Sequence, residues 1–153
     1  MGQRQAIDIA TELCKEFEGF SSKPYICPAG YPTIGYGTVY KPDGNKVTMR
    51  DATISREVAL GWLISELESN YMAGVLKASP SLIKEPVALG VMTDFAYNLG
   101  VGRYRASILR KRVDVQDWNG AATELKKWVY GGGKKLPGLV RRRQAEVDLL
   151  AGL

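Results

Sequence analysis

Apolar residues recur at three- and four-residue intervals near the start of the chain, at Ala6, Ile9, Ala10, Leu13 and Phe17. This spacing predicts a helix with one face turned inward and a break at Gly19. The pattern then changes: Tyr25 to Cys27 and Thr33 to Val39 read as extended runs, separated by the turn-forming stretch Pro28-Ala29-Gly30-Tyr31-Pro32. Lys41-Pro42-Asp43-Gly44-Asn45 reads as a second hairpin turn, between Val39 and Val47. Beyond it the helical period returns. Ser55 is an N-cap candidate, and Leu60, Leu63, Ile64, Leu67, Tyr71 and Val75 keep one apolar stripe. Pro86 starts a helix in which Val87, Leu89, Val91, Phe95 and Leu99 leave little polar face, as the buried centre of a lobe would. Asp117 is placed to cap another through Trp118, Ala121, Ala122, Leu125 and Trp128, ended by Gly131-Gly132-Gly133, and Pro137 starts the last. The whole is an α+β chain, predominantly helical, with no internal repeat and no low-complexity linker.

Composition narrows the chemistry. The 153 residues are 45% hydrophobic and 24% charged, as expected of one soluble domain with its own core. No stretch reaches the roughly 18 apolar residues of a membrane span, so no stable membrane insertion is expected. The opening MGQRQAIDIA has neither the apolar region nor the cleavage site of a signal peptide. Histidine is absent, which removes Ser-His-Asp and Cys-His nucleophile pairs and histidine-ligated zinc. Two cysteines cannot close a structural zinc site, and no metal or organic cofactor is implied. The net charge is +5, with clusters at Arg110-Lys111-Arg112, Lys134-Lys135 and Arg141-Arg142-Arg143. Such a surface attracts polyanions. No nucleic-acid recognition motif accompanies it, so an anionic bacterial envelope is the expected partner, with simple solvation as the structural alternative.

The candidate chemistry lies in EGFSSKPYICPAGYPTIGYGT, where eight residues separate Glu18 from Cys27 and five separate Cys27 from Thr33. A carboxylic acid at a helix end would face a thiol and a hydroxyl on the arms of a hairpin, with Cys27 and Thr33 as cross-strand neighbours. Such a cluster suits glycosidic-bond cleavage, in which an acid protonates the leaving oxygen while a second group handles water or the oxocarbenium-like centre. Gly35 and Gly37 would leave a bare backbone against which a flat sugar could lie. Singly, each residue also has an ordinary reading: a solvated helix-end charge, a small buried hydrophobe and a strand residue.

This spacing, followed by Thr33-Ile34-Gly35-Tyr36-Gly37, resembles the phage-type lysozymes (endolysins) of glycoside hydrolase family 24, which include the T-even phage lysozymes. Asp94 to Gly102, Ser107 to Arg110 and Trp128 to Glu146 are similar to three further segments of that family, so the likeness runs from about Ala6 to Leu150. The resemblance implies a lysozyme-like fold in two lobes: a small N-terminal β-hairpin lobe (about 1–54), a connecting helix (about 55–78) and a helical lobe (about 79–153). It implies a monomeric muramidase acting on the β-1,4 bonds of peptidoglycan. Glu18, Cys27 and Thr33 would be catalytic, with Tyr97, Asn98 and Ser107 along the substrate cleft. Trp128 is core or a sugar platform, and one arginine of 141–143 reaches the acid. The implied role is host lysis, the protein waiting in the host cytoplasm until a holin admits it to the periplasm. Two departures stand out. Cys27 occupies a position where many members have Asp, and Thr38 a position where His is frequent. A thiol is a poor ready-made base, which keeps a lytic transglycosylase giving 1,6-anhydro products in view, and behind it a non-catalytic wall-binding module. Cys14, one helical turn before Glu18, is also a candidate disulfide partner for Cys27.

Overall fold

In the computed structural model, which describes residues 2–153, the first apolar stripe becomes α1 (Gly2–Glu18), burying Ala6, Ile7, Ala10, Thr11, Leu13 and Cys14. Although α1 precedes the hairpin in the chain, its main packing partner is α4 (Pro86–Leu99). Gly90 makes that crossing close: a Cβ there would lie 2.8 Å from the Ala6 carbonyl oxygen and from Ile9. From Ala88 to Ala96 every residue of α4 is buried, so this helix is the centre of the fold, as its nearly continuous apolar sequence predicts.

β1 (Ser21–Ile26) pairs antiparallel with β2 (Pro32–Gly35), in register Tyr25 with Thr33 and Ile26 with Pro32. The extended run expected to reach Val39 stops at Gly35. Gly35 and Gly37 hold φ of 66° and 83°, and a bridge from Ile34 to Thr38 closes the turn they make. The second hairpin turn forms as anticipated, with Tyr40 bridging Lys46 and the Lys41 amide donating to Asn45 O. Ser55 caps α2 (Arg56–Glu66), its hydroxyl accepting from the Val58 amide. The backbone continues without a break through a widened π turn over Leu67–Met72 into α3 (Ala73–Ala78). Leu63, Leu67 and Val75 of the predicted stripe are buried.

Two short helices, α5 (Val101–Ala106) and α6 (Ile108–Asp114), follow α4 and were not visible in the periodicity. Each has too few turns to establish a stripe. α7 (Trp118–Leu125) is capped by Asp117 as expected but ends before Trp128. The Trp128 ring instead meets Phe95 edge-on at 5.5 Å, so tertiary packing overrides the helical period there. Two-residue strands β3 (Tyr130–Gly131) and β4 (Lys134–Lys135) make a small hairpin, and α8 (Pro137–Leu150) begins at its proline. The result is a mainly helical body carrying a small N-terminal β-hairpin. Among the described residues no helix is long and apolar enough to cross a membrane.

Candidate active site

Glu18 is the last residue of α1, and one face of its carboxylate is held by the far end of the chain. Arg142 of α8 donates from Nη1 to Glu18 Oε2 at 2.6 Å. The same guanidinium grips Asp94 of α4 with two bonds, Nε to Oδ2 at 3.1 Å and Nη2 to Oδ1 at 2.7 Å. Cys14, one turn before Glu18, donates its thiol to Asp94 Oδ1 at 3.3 Å. Arg142, Asp94 and Cys14 are all buried, so the cation cannot swing away into water. Burial alone would raise Asp94, but the bidentate Arg142 overrides it and holds the carboxyl below the usual carboxylate range. Burial first, and then the Asp94 charge, push the Cys14 thiol far up, so it remains a neutral donor.

Behind this group a second buried pair continues the network. Arg143 donates from Nη2 to Asn98 Oδ1 at 2.9 Å and to Glu146 Oε2 at 3.1 Å. Its Nε is only 2.6 Å from Glu146 Oε1, yet the angle is too poor for a directed hydrogen bond. Burial, and next the neighbouring Asp94 charge, push Glu146 well above the carboxylate range, making it the neutral member of the cluster.

In front of Glu18 opens a cleft of about 450 Å³ lined by Glu18, Tyr31, Gly37, Val39, Tyr40, Glu66, Tyr71, Tyr97 and Asn98. A second cavity, about 560 Å³, is lined by Glu18, Asn98, Pro137, Arg141 and Arg142 among others. Glu18 and Asn98 thus border both cavities. Gly37 makes room for it: a Cβ at that position would lie 2.9 Å from Glu18 Oε1 and 3.4 Å from the Tyr97 hydroxyl. The bare backbone expected to admit a sugar therefore admits the acid here. Gly35 faces elsewhere, with Ala59 of α2 at 3.1 Å from its virtual Cβ.

Cys27 lies just beyond β1, its amide donating to Tyr31 O at 3.0 Å. Because the register pairs Thr33 with Tyr25, Cys27 and Thr33 are diagonal neighbours on one face rather than a direct cross-strand pair. The Cys27 thiol sits below its ordinary value, chiefly through the Tyr31 backbone and then the Thr33 hydroxyl. That hydroxyl has one proton, and it goes to Tyr31 O at 2.9 Å. Thr33 consequently presents a lone pair unless the thiol ionises and claims the proton. The Tyr25 phenol is raised by burial and then by the charges of Glu18 and Cys27, which places all three in one electrostatic neighbourhood.

The residues expected along the cleft divide. Tyr97 and Asn98 line it, the Tyr97 hydroxyl donating to Tyr36 O at 2.8 Å. Ser107 does not. It caps α6, accepting from the Arg110 amide at 3.0 Å and donating to Tyr104 O at 2.6 Å, and it borders a separate groove with Arg103, Ile108 and Trp128. The candidate Cys14–Cys27 link does not form: both thiols are free, and Cys14 is engaged within the buried network. Of the three candidate arginines, Arg142 reaches the acid, Arg143 turns into the core and Arg141 is exposed. Sequence reasoning missed Asp94, Glu146 and Glu66. A signal existed for the first, since Asp94 is the only charge in α4, and a charge inside an apolar helix demands a buried partner. Among the described residues no group of three His, Cys, Asp or Glu side chains is placed to hold a metal ion.

Comparison with known proteins covers nearly the whole chain. The family model described as phage lysozyme matches residues 15–146. The endolysin of Acyrthosiphon pisum secondary endosymbiont phage 1 is 33% identical over 144 residues, 90% of this chain and 91% of that protein. The SAR-endolysin of Bacteriophage PS119 is 40% identical over 135 residues, 86% of this chain and 75% of its own. Among solved structures, the endolysin of Escherichia coli O157:H7 phage FAHEc1 aligns with a TM-score of 0.79 at 30% identity, covering 93% of this chain and 90% of that one. The muramidase domain of SpmX from Asticaccaulis excentricus shares the fold, with a TM-score of 0.74 at 23% identity over 92% of this chain and 93% of that one.

Proposed function

Because the chain belongs to the phage lysozyme family, we propose that it is an endolysin hydrolysing the β-1,4 bond between N-acetylmuramic acid and N-acetylglucosamine in peptidoglycan. The single observation that carries this reading is the mounting of Glu18. One oxygen is held by a buried guanidinium at 2.6 Å, and the other lies beside the side-chain-free Gly37 at the cleft. Arg142 fills Oε2, so a proton carried by Glu18 belongs on Oε1, where a leaving glycosidic oxygen can take it. When Glu18 gives up that proton, Arg142 stabilises the carboxylate left behind. On the hairpin, the Thr33 lone pair accepts from a water, and Cys27 polarises the same water from the diagonal position. That water attacks the anomeric carbon opposite the departing group and inverts it, and the proton it sheds passes to solvent, from which Glu18 is reprotonated. Tyr97 and Asn98 hold the glycan, and Trp128 with Ser107 forms a separate shallow groove away from the reacting bond.

The thiol in place of a second carboxylate favours one competing reading, a lytic transglycosylase. In that reaction the sugar's own 6-hydroxyl closes onto the anomeric carbon and no water enters. Digestion of purified glycan strands in oxygen-18 water, with products weighed by mass spectrometry, separates the two. Labelled reducing ends support the hydrolase, and unlabelled anhydro ends lighter by one water overturn it. Glu18→Gln, unchanged in melting curve, is expected to abolish cleavage in either case; more than a tenth of wild-type turnover would remove Glu18 as the acid. In the cell this reading means lysis of a bacterial host, with a monomeric enzyme reaching the wall from the cytoplasm once a holin has opened the inner membrane. Its basic surface meets the anionic envelope there.

A further inference from the structure

Glu66 is the second acidic residue of the cleft, and the steps above make no use of it. It closes α2 where the backbone widens into the π turn, a feature that re-aims side chains and recurs at functional positions. Its Oε1 is shut off from solvent without a hydrogen bond, and the neighbouring Thr38 hydroxyl is likewise unbonded. The groups around it are Thr38 from the hairpin turn, Glu18 across the cleft, Tyr71 on its own helix and Tyr97 from α4, with Tyr31 and Tyr40 on the hairpin side. No Lys or Arg pairs with it among the described residues, and Arg142 is committed to Glu18 and Asp94. Burial, only partly opposed by the adjacent Thr38 hydroxyl, which lies close without forming a directed hydrogen bond, pushes its carboxyl up to about 7. Around neutrality it therefore keeps a proton to donate. Two of its polar neighbours are engaged elsewhere: the Tyr97 proton goes to Tyr36 O, and Asn98 Oδ1 is taken by Arg143. Beside Glu66 the rings of Tyr71 and Tyr97 meet edge-on at 5.0 Å, an apolar wall suited to a methyl group.

We propose that Glu66 is a substrate-binding residue whose carboxyl donates a hydrogen bond to an acetamido carbonyl oxygen of the glycan, while the Tyr71–Tyr97 wall receives the acetamido methyl. The assignment rests on the glycan reading of the cleft. It has a pH signature, because an ionised Glu66 would turn a lone pair toward the same carbonyl. The test is calorimetric binding of purified, peptide-free peptidoglycan strands to the Glu18→Gln protein, which does not consume them, at pH 5.5 and pH 8. Affinity is expected to fall roughly tenfold at the higher pH, as loss of one such hydrogen bond would give. Adding Glu66→Gln, whose amide donates at any pH, should hold the low-pH affinity at both values. Adding Glu66→Ala should give weak binding at both. If the Gln variant keeps the parent's pH dependence, or the Ala variant binds as tightly as the parent at pH 5.5, the assignment is wrong while the glycan reading stands. If the parent binds no glycan at either pH, both fall.

Discussion

Replacing Arg142 by Met tests the physical core of the site. The substitution conserves bulk and removes the two bonds to Asp94 at 2.7 and 3.1 Å and the one to Glu18 at 2.6 Å. What remains is a fully buried Asp94 whose donors are the Cys14 thiol and neutral Glu146. Breaking a buried ion pair from one side costs about 3–5 kcal/mol, because the orphaned charge stays buried. The cost depends on pH, and its sign follows from Asp94. In the native protein this carboxyl lies below its unfolded value of 3.8, so the stability it contributes is present above that pH and is lost as the pH falls through its folded value. Without Arg142 burial dominates, the carboxyl rises above 3.8, and the penalty persists at neutral pH but shrinks on acidification as Asp94 protonates. Urea unfolding at pH 7 should show a loss of about 3–5 kcal/mol, a midpoint lower by roughly 2 M at an ordinary denaturant slope. Near pH 4 the loss should be clearly smaller. Adding Asp94→Asn, which removes the stranded charge and keeps an acceptor for Cys14, should recover more than half of it at pH 7. A loss under about 1 kcal/mol, or one equal at both pH values, would refute the reasoning.

Three other outcomes are expected. Cys27→Asp should retain substantial activity in a glycan-cleavage assay, whereas Cys27→Ala should lose at least about tenfold by leaving the water with Thr33 alone; equal activity of Cys27→Ala and wild type would make the thiol purely structural. Gly37→Ala would set a methyl 2.9 Å from Glu18 Oε1 at a φ of 83°, so kcat should fall on the order of 10²-fold from displacement of the acid, with about 1–2 kcal/mol of backbone strain; full kcat would show that Glu18 does not need that space. Glu66→Gln should stabilise the protein at alkaline pH. Its folded carboxyl is raised from 4.5 to about 7, so ionisation progressively destabilises the native state as pH rises through that window, by up to about 3 kcal/mol. Melting curves of the two proteins should coincide near pH 4, diverge between about pH 4.5 and 7 and stay apart above pH 7, and a constant difference would remove the buried-carboxyl account.

What the sequence disclosed about the hairpin site was local. Glu18, Cys27 and Thr33 fall within one short segment, and the glycines and prolines that shape it leave few backbone choices. The register was less accessible. Whether Cys27 faces Thr33 directly or diagonally depends on how many residues the turn at Pro28–Tyr31 absorbs, and the chain closes it with Ile26 opposite Pro32. The strand expected through Val39 failed for a related reason, since alternation of apolar residues persists across Gly35 and Gly37 while their positive φ values bend the backbone.

The acid's partner was hidden by a different mechanism. Glu18 and Arg142 are 124 positions apart, and nothing in either neighbourhood names the other. Yet the last helix carries a signal in another form. Leu139, Arg142, Arg143, Glu146, Val147 and Leu150 recur at three- and four-residue intervals, the spacing of a core-facing stripe. Arg142, Arg143, Glu146 and Leu150 are all buried. Read by hydrophobicity alone, that stripe shows only Leu139, Val147 and Leu150, and α8 looks like a solvated basic helix. Read by position, it has three ionisable residues where apolar ones belong, opposite the single charge of α4. Buried charges persist only when paired, so two cations on one core stripe and one acid on another call for each other by position in the chain alone. The same stripe decides among the three consecutive arginines. Arg141 falls outside it and faces solvent, Arg143 spends its guanidinium on Glu146 and Asn98, and Arg142 is left to span Asp94 and the acid at the cleft.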